Sequence, residues 1–181
     1  MKRLSLTFLL FSALILGSCK DNNKNEDNDM NTDMNSDSIS QMDNNQKMQD
    51  STKKVSVTLQ PVSGSNLSGN VVFTEENGEV TMNATIDGLS QGMHAIHIHE
   101  NADCSADDGS SAGGHWNPTN EQHGKWGSAD GYHKGDIGNF DVDKDGHGTI
   151  TMTTNEWCIG CGDSNKDILG HSIIVHEGAD D

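Results

Sequence analysis

Residues 53–181 predict an all-β domain, folded as a sandwich or flattened barrel. Three features predict it. Short runs that alternate apolar and polar residues recur along the segment. Turn residues, rich in Gly, Asn and Asp, separate them. No stretch combines a helical period with helix caps. Many short strands joined by such turns bury their apolar faces by packing sheet on sheet or by closing.

The strands follow in order. "VSVTL" (55–59) alternates. "NVVFTE" (70–75) and "EVTMNATI" (79–86) flank "ENG", a hairpin signal, and Val80, Met82, Ala84 and Ile86 share one face. "MHAIHIHE" (93–100) is the fourth strand. Side chains alternate faces with period two, so His97 and His99 share one face and Ile96 and Ile98 the other. The pattern predicts a half-buried strand with imidazoles outside and aliphatics inside. Two imidazoles two residues apart on a strand can grip one metal ion. His94 has the other parity and should stand apart from that site. "DIGNFDV" (136–142) and "GTITMTT" (148–154) flank "DKDG", a second hairpin, and "HSIIVHE" (171–177) is the seventh strand.

One connection breaks the rhythm. Residues 101–135 form a long loop without an evident strand or helix. Such loops inside compact domains are uncommon and usually functional. This one carries His115, His123 and His133, with Asp136 at its exit. A bound metal would order a loop that packing alone cannot. Together with His97, His99 and His176 these make seven candidate ligands, too many for one site and suited to two sites sharing a residue. Imidazoles suit copper and zinc, and an added carboxylate fits tetrahedral zinc. His147 and His171, at a turn and a strand start, read as solvated surface. Trp116, Trp126 and Trp157 are expected to pack beneath the long loops.

The N-terminal third is a different kind of chain. Lys2 and Arg3 precede a short apolar run, Leu4 to Leu16, which is a signal peptide (1–18) and too short for a membrane span. The following "LGSC" resembles a bacterial lipobox, which makes Cys19 a lipidation site. Residues 19–52 are rich in Asn and Asp, with almost no aliphatic side chains, and cannot offset their ordering entropy by burial. They read as a disordered tether, in which the thioethers of Met30, Met34, Met42 and Met48 are the sizeable apolar groups and conceivable Cu(I) ligands.

The formal charge of −17 argues against nucleic acid or an anionic membrane surface as partner. With Cys19 lipidated, Cys104, Cys158 and Cys161 remain, an odd number. "CIGC" (158–161) lacks the βαβ context of a thioredoxin-like motif. A local disulfide or two structural thiols suits it better than metal binding or redox chemistry.

"GMHAIHIHE", "SAGGHWNP", "HGKWG", "YHKGDIGN" and "IIVHEGADD" occur in that order, and the combination resembles the copper/zinc superoxide dismutase family. The resemblance implies a Greek-key fold, copper and zinc as cofactors, and superoxide as substrate. It implies copper ligation by His97, His99 and His176, and zinc ligation by His123, His133 and Asp136. His115 would bridge the two metals as an imidazolate, and Asp180 would hydrogen-bond one ligand of each. His94 would tie loops together. The implied reaction converts superoxide to dioxygen and hydrogen peroxide by Cu(II)/Cu(I) cycling, with zinc holding His115. A signal peptide and lipid anchor add a location in a bacterial cell envelope, periplasm or cell surface. Monomer and homodimer both stay open.

The family pattern also continues beyond the last ligand, whereas the chain stops at Asp181. The resemblance implies an eighth strand, a cysteine to pair with Cys104, and an arginine beside copper. Without that strand a barrel has unpaired edges, and Asp180, second-last, lies where chains fray. Either the sequence continues past Asp181, or the product is short and works without these parts. The competing functional reading is a non-catalytic copper-binding or buffering lipoprotein on the same fold.

Overall fold

The computed structural model describes residues 52–180. The signal peptide, Cys19 and the Met-bearing tether lie outside the described residues.

Seven antiparallel strands build this part of the chain: β1 (Lys53–Leu59), β2 (Ser68–Glu76), β3 (Glu79–Asp87), β4 (Gly92–His99), β5 (Gly138–Val142), β6 (His147–Thr154) and β7 (Ser172–Val175). All seven expected strands are present. The β2–β3 hairpin turns on Asn77 and Gly78, both with positive φ (52° and 79°). That is the turn whose twist matches antiparallel strands, and Asn-Gly is its preferred pair. On β3, Val80, Met82, Ala84 and Ile86 alternate into the core as their spacing predicts.

The strand order is β1-β2-β3-β6-β5-β4-β7. β3 therefore crosses to β4, and β6 crosses to β7, which are Greek-key connections. The β5–β6 hairpin is held as a ladder by one pair alone, Val142 with Gly148. Phe140 packs at this parting. Its ring lies against Gly148, where a Cβ would come within 2.9 Å of it. The sheet thus opens into two leaves, β1-β2-β3-β6 and β5-β4-β7, with the core between them. Val71, Val80, Met82, Ile86, Ile96 and Ile98 are its most enclosed aliphatics.

β1 and β7 stand at the two ends of this nearly closed barrel. A cavity of about 80 Å³ lies beside them, lined by Val55, Val57, Phe73, Ile98, Ile168 and Ile173. The 101–135 connection is irregular except for one 3₁₀ turn, Ser110–Ala112.

Two expectations change. His97 and His99 do not face outward: every residue from His94 to His99 is buried. The long loop folds over the imidazole face of β4 and shuts it from water. His176 lies just past the end of β7, although its N–H still bonds the carbonyl of Ala95 on β4.

Candidate metal centre

β4 is the rigid base of the site. It ends in a lattice of backbone bonds that fixes the long loop: Ile98 N–H to Gly135 O, Gly135 N–H to Trp116 O, and Trp116 N–H to Ile98 O. Each step places a histidine. His97 and His99 flank Ile98, His115 precedes Trp116, and His133 lies two residues before Gly135. Gly135 must be glycine for packing reasons, because a Cβ there would sit 2.2 Å from the Ile98 oxygen.

Two donor sets result. Nitrogens of His97, His99, His115 and His176 all lie within 4.8 Å of one another. So do the donor atoms of His115, His123, His133 and Asp136. His115 belongs to both. Its Nδ1 donates to Asp136 Oδ1 at 2.8 Å, while its ring lies against His97 with centroids 3.9 Å apart. Asp180 spans the two sets, with Oδ2 3.0 Å from His97 Nε2 and Oδ1 3.0 Å from His123 Nε2. A carboxylate in that position fixes ring orientation and tautomer on both sides.

The donor atoms suit metals. His97 engages Asp180 through Nε2, and its buried Nδ1 has no hydrogen-bond partner. His99 engages the Gly113 carbonyl through Nδ1, which leaves Nε2 facing His176 Nε2 at 3.4 Å. A buried imidazole nitrogen without a partner is costly unless something occupies it. His133 Nδ1 likewise lacks hydrogen-bond geometry, although Asp136 Oδ1 is 3.2 Å away. Four imidazoles suit copper, and three imidazoles with a carboxylate suit tetrahedral zinc.

Protonation favours the same end. Burial, and then the facing His115, push His97 down to about 4. Burial also lowers His99 and His176. These imidazoles are neutral at pH 7, the form that binds metal. Asp136 is held at about 2: burial opposes ionisation, but His115 and the backbone N–H groups of His133 and Gly124 outweigh it. Burial works against a charge on His123 too, yet Asp136 and Asp180 raise it.

Other sequence candidates fall elsewhere. His94 has both ring nitrogens near carbonyls, 3.0 Å from His176 O and 2.9 Å from Ser90 O. It ties the start of β4 to the segment after β7. His147 is exposed and pairs with Asp87 at 2.8 Å. His171 is half-buried rather than solvated, packed on Trp116 with its Nδ1 at the Glu100 carbonyl. Cys104 is exposed and free among the described residues, and Cys158 and Cys161 form a disulfide.

Sequence reasoning missed two supports. Glu156 accepts hydrogen bonds from Tyr132 and Lys134, on either side of His133, and the Trp157 indole donates to Lys134 O at 2.8 Å. Asn139 pairs with the backbone of Asp180 in both directions, at 3.0 and 2.7 Å. That amide clamp holds Asp180 between the two donor sets. Neither contact has a local sequence signal, since each joins distant segments through one side chain.

Comparison with known proteins places this geometry. The family description "Copper/zinc superoxide dismutase (SODC)" matches residues 67–181. The chain belongs to the copper/zinc superoxide dismutase family. Members of the copper/zinc superoxide dismutase family hold copper and zinc, which agrees with the two donor sets. The Neisseria meningitidis superoxide dismutase [Cu-Zn] is 36% identical over 131 residues, covering 67% of each chain. That of Actinobacillus pleuropneumoniae is 34% identical over 131 residues, covering 67% of this chain and 65% of the relative. The chain thus spans about two-thirds of these relatives' length. The copper chaperone for superoxide dismutase of Rattus norvegicus is 34% identical over 114 residues, covering 62% of this chain and 39% of the relative. Among solved structures, the clock protein EA4 superposes with a TM-score of 0.60 at 28% identity, covering 73% of this chain and 78% of that one.

Proposed function

We propose that this protein is a superoxide dismutase: two superoxide ions and two protons become dioxygen and hydrogen peroxide. One observation carries the reading beyond the family itself. His115 is common to both donor sets, with Nδ1 turned to the Asp136 side and its ring against His97. A plain copper carrier has no use for such a bridge.

The roles follow from the atoms. His97 Nδ1, His99 Nε2, His176 and His115 would hold copper; His115, His123, His133 and Asp136 would hold zinc. Copper supplies the one-electron Cu(II)/Cu(I) cycle, and zinc, which has no redox role, supplies charge. Nε2 of His115, the ring nitrogen not engaged by Asp136, would be the atom that holds a proton during turnover. Asp180 keeps His97 and His123 in register while this happens. The leader and "LGSC" support a lipid anchor at Cys19 and a place in a bacterial envelope, with the tether as spacer.

His115→Ala separates this reading from copper buffering. Turnover per bound copper should fall to background, while three imidazoles still hold copper. Full dismutase activity in the copper-loaded variant would reject the bridging role. An unmutated chain with stoichiometric copper and no turnover would reject the enzyme.

A further inference from the structure

The loop between β6 and β7 carries a second cluster of metal-binding groups that shares no residue with the histidine centres. Sγ of Cys158, Sγ of Cys161 and a carboxylate oxygen of Asp167 lie within 4.8 Å of one another. In this structure the two sulfurs are bonded as a disulfide. We propose that, once that disulfide is reduced, Cys158, Cys161 and Asp167 form a third metal site, taking zinc. The proposal does not depend on the dismutase reading.

The frame that holds the three groups is built without the sulfur–sulfur bond. Asp167 accepts three backbone hydrogen bonds, from Gly160 and Leu169 on Oδ1 (2.9 and 3.1 Å) and from Gly162 on Oδ2 (2.9 Å). Cys158 is fixed from both sides: its N–H bonds Lys166 O at 2.8 Å, and its carbonyl accepts from Ile168 N–H at 3.1 Å. The Asp163 N–H lies 3.4 Å from Cys161 Sγ, where it would stabilise a thiolate. Gly160 and Gly162 take positive φ, 63° and 75°, so the chain curls around the cluster. Beyond the loop, Ile159 is anchored at both backbone groups, by Glu75 and by Lys53. Opening the disulfide therefore leaves the two sulfurs beside the carboxylate. Burial works against the charge on Asp167, but the three N–H groups hold its carboxyl below the usual range, so it is ionised.

Two thiolates and a carboxylate are zinc ligands, and three protein ligands leave a fourth position for water. Access is asymmetric in a useful way: Cys161 is exposed and Cys158 is buried. A thiolate of an external dithiol attacks Cys161 Sγ, which breaks the Cys158–Cys161 bond and releases Cys158 as thiolate. The second thiol of the reductant then attacks the mixed disulfide and frees Cys161. Two electrons pass to the protein, and the reductant leaves as its own disulfide. Zinc then displaces the remaining thiol protons.

Cobalt(II) is the probe, because thiolate ligation gives it a charge-transfer absorption in the near ultraviolet that histidine and carboxylate do not give. The full chain carries Cys19→Ser and Cys104→Ser, has its histidine sites filled with zinc, and is reduced with a phosphine. We expect one equivalent of cobalt to bind with the thiolate band, and one equivalent of zinc to bleach it. Cys161→Ser should abolish the band, and Asp167→Asn should weaken cobalt binding about 10-fold or more. Absence of the band in the reduced parent would overturn the proposal. So would a band that survives Cys161→Ser, or a disulfide that opens only when the protein unfolds. Unchanged cobalt affinity in Asp167→Asn would remove the carboxylate from the site.

Discussion

His97 shows how much one side chain is asked to do. It is 2% exposed, has Nε2 engaged by Asp180, and keeps Nδ1 without a hydrogen-bond partner. Its pKa of about 4 has a consequence for the metal-free protein. An unfolded chain takes up a proton on this ring below about pH 6.5, whereas the folded chain resists until about 4. The unfolded state binds more protons across that window, so folding stability falls as pH falls. His97 alone accounts for about 3 kcal/mol at a slope of ~1.4 kcal/mol per pH unit. His99 and His176, also lowered, act in the same direction. His123, raised, acts oppositely: its contribution is full at low pH and is lost as pH rises through its folded pKa. Asp136, held at about 2, contributes from its usual range upward and is lost only as pH drops through that value. The three lowered imidazoles outnumber the two raised, His123 and the exposed His147. Urea unfolding of the metal-free chain should show the midpoint dropping from pH 7 to pH 5, and His97→Gln should flatten the slope. A midpoint that holds steady would mean that these rings are not buried neutral.

At the level of elements, what was legible in the sequence had local causes. Period-two alternation placed β3, and Asn77-Gly78 placed its hairpin. The parity argument separated His94 from His97 and His99 correctly, because parity is a property of the strand alone. Exposure was misread on β4, because the cover comes from residues far along the chain. Asn139 and Glu156 were invisible for the same reason. They sit in unremarkable local sequence and matter only once Asp180 and the His133 loop reach them. The donor cluster was legible because six histidines and Asp136 stand at recognisable spacing in the sequence; its supports were not. Gly135 tests the lattice that joins β4 to the loop. Gly135→Ala should drive its methyl into the Ile98 carbonyl, 2.2 Å away, and push His133 and Asp136 off their positions. Overpacking of this kind costs about 1–3 kcal/mol, and zinc affinity should fall roughly 10–100-fold. Gly114→Ala is the control, since its nearest neighbour is 3.8 Å away. Equal zinc affinity in the two variants, measured by chelator competition, would show that the lattice does not position His133 and Asp136.

For the molecule as a whole, charge decides how an anionic substrate arrives. Residues 53–181 contain six lysines and no arginine, against twenty Asp and Glu. Glu177 directly follows His176 and is exposed. The summed field repels an anion such as superoxide, and a field of that sign lowers the encounter rate where an attractive one would raise it. Salt removes the repulsion: the Debye length shrinks from about 30 Å at ~0.01 M to about 8 Å at ~0.15 M. The second-order rate constant for dismutation by the copper- and zinc-loaded chain should therefore rise with ionic strength over that range. Attractive steering gives the opposite slope. Glu177→Lys should raise the rate at low salt and reduce the salt dependence, because it reverses the sign of a charge directly beside His176. Pulse radiolysis across a salt series reads both effects. A rate that falls with added salt would show that the field at the copper side is attractive, and that the acidic surface lies too far away to govern approach.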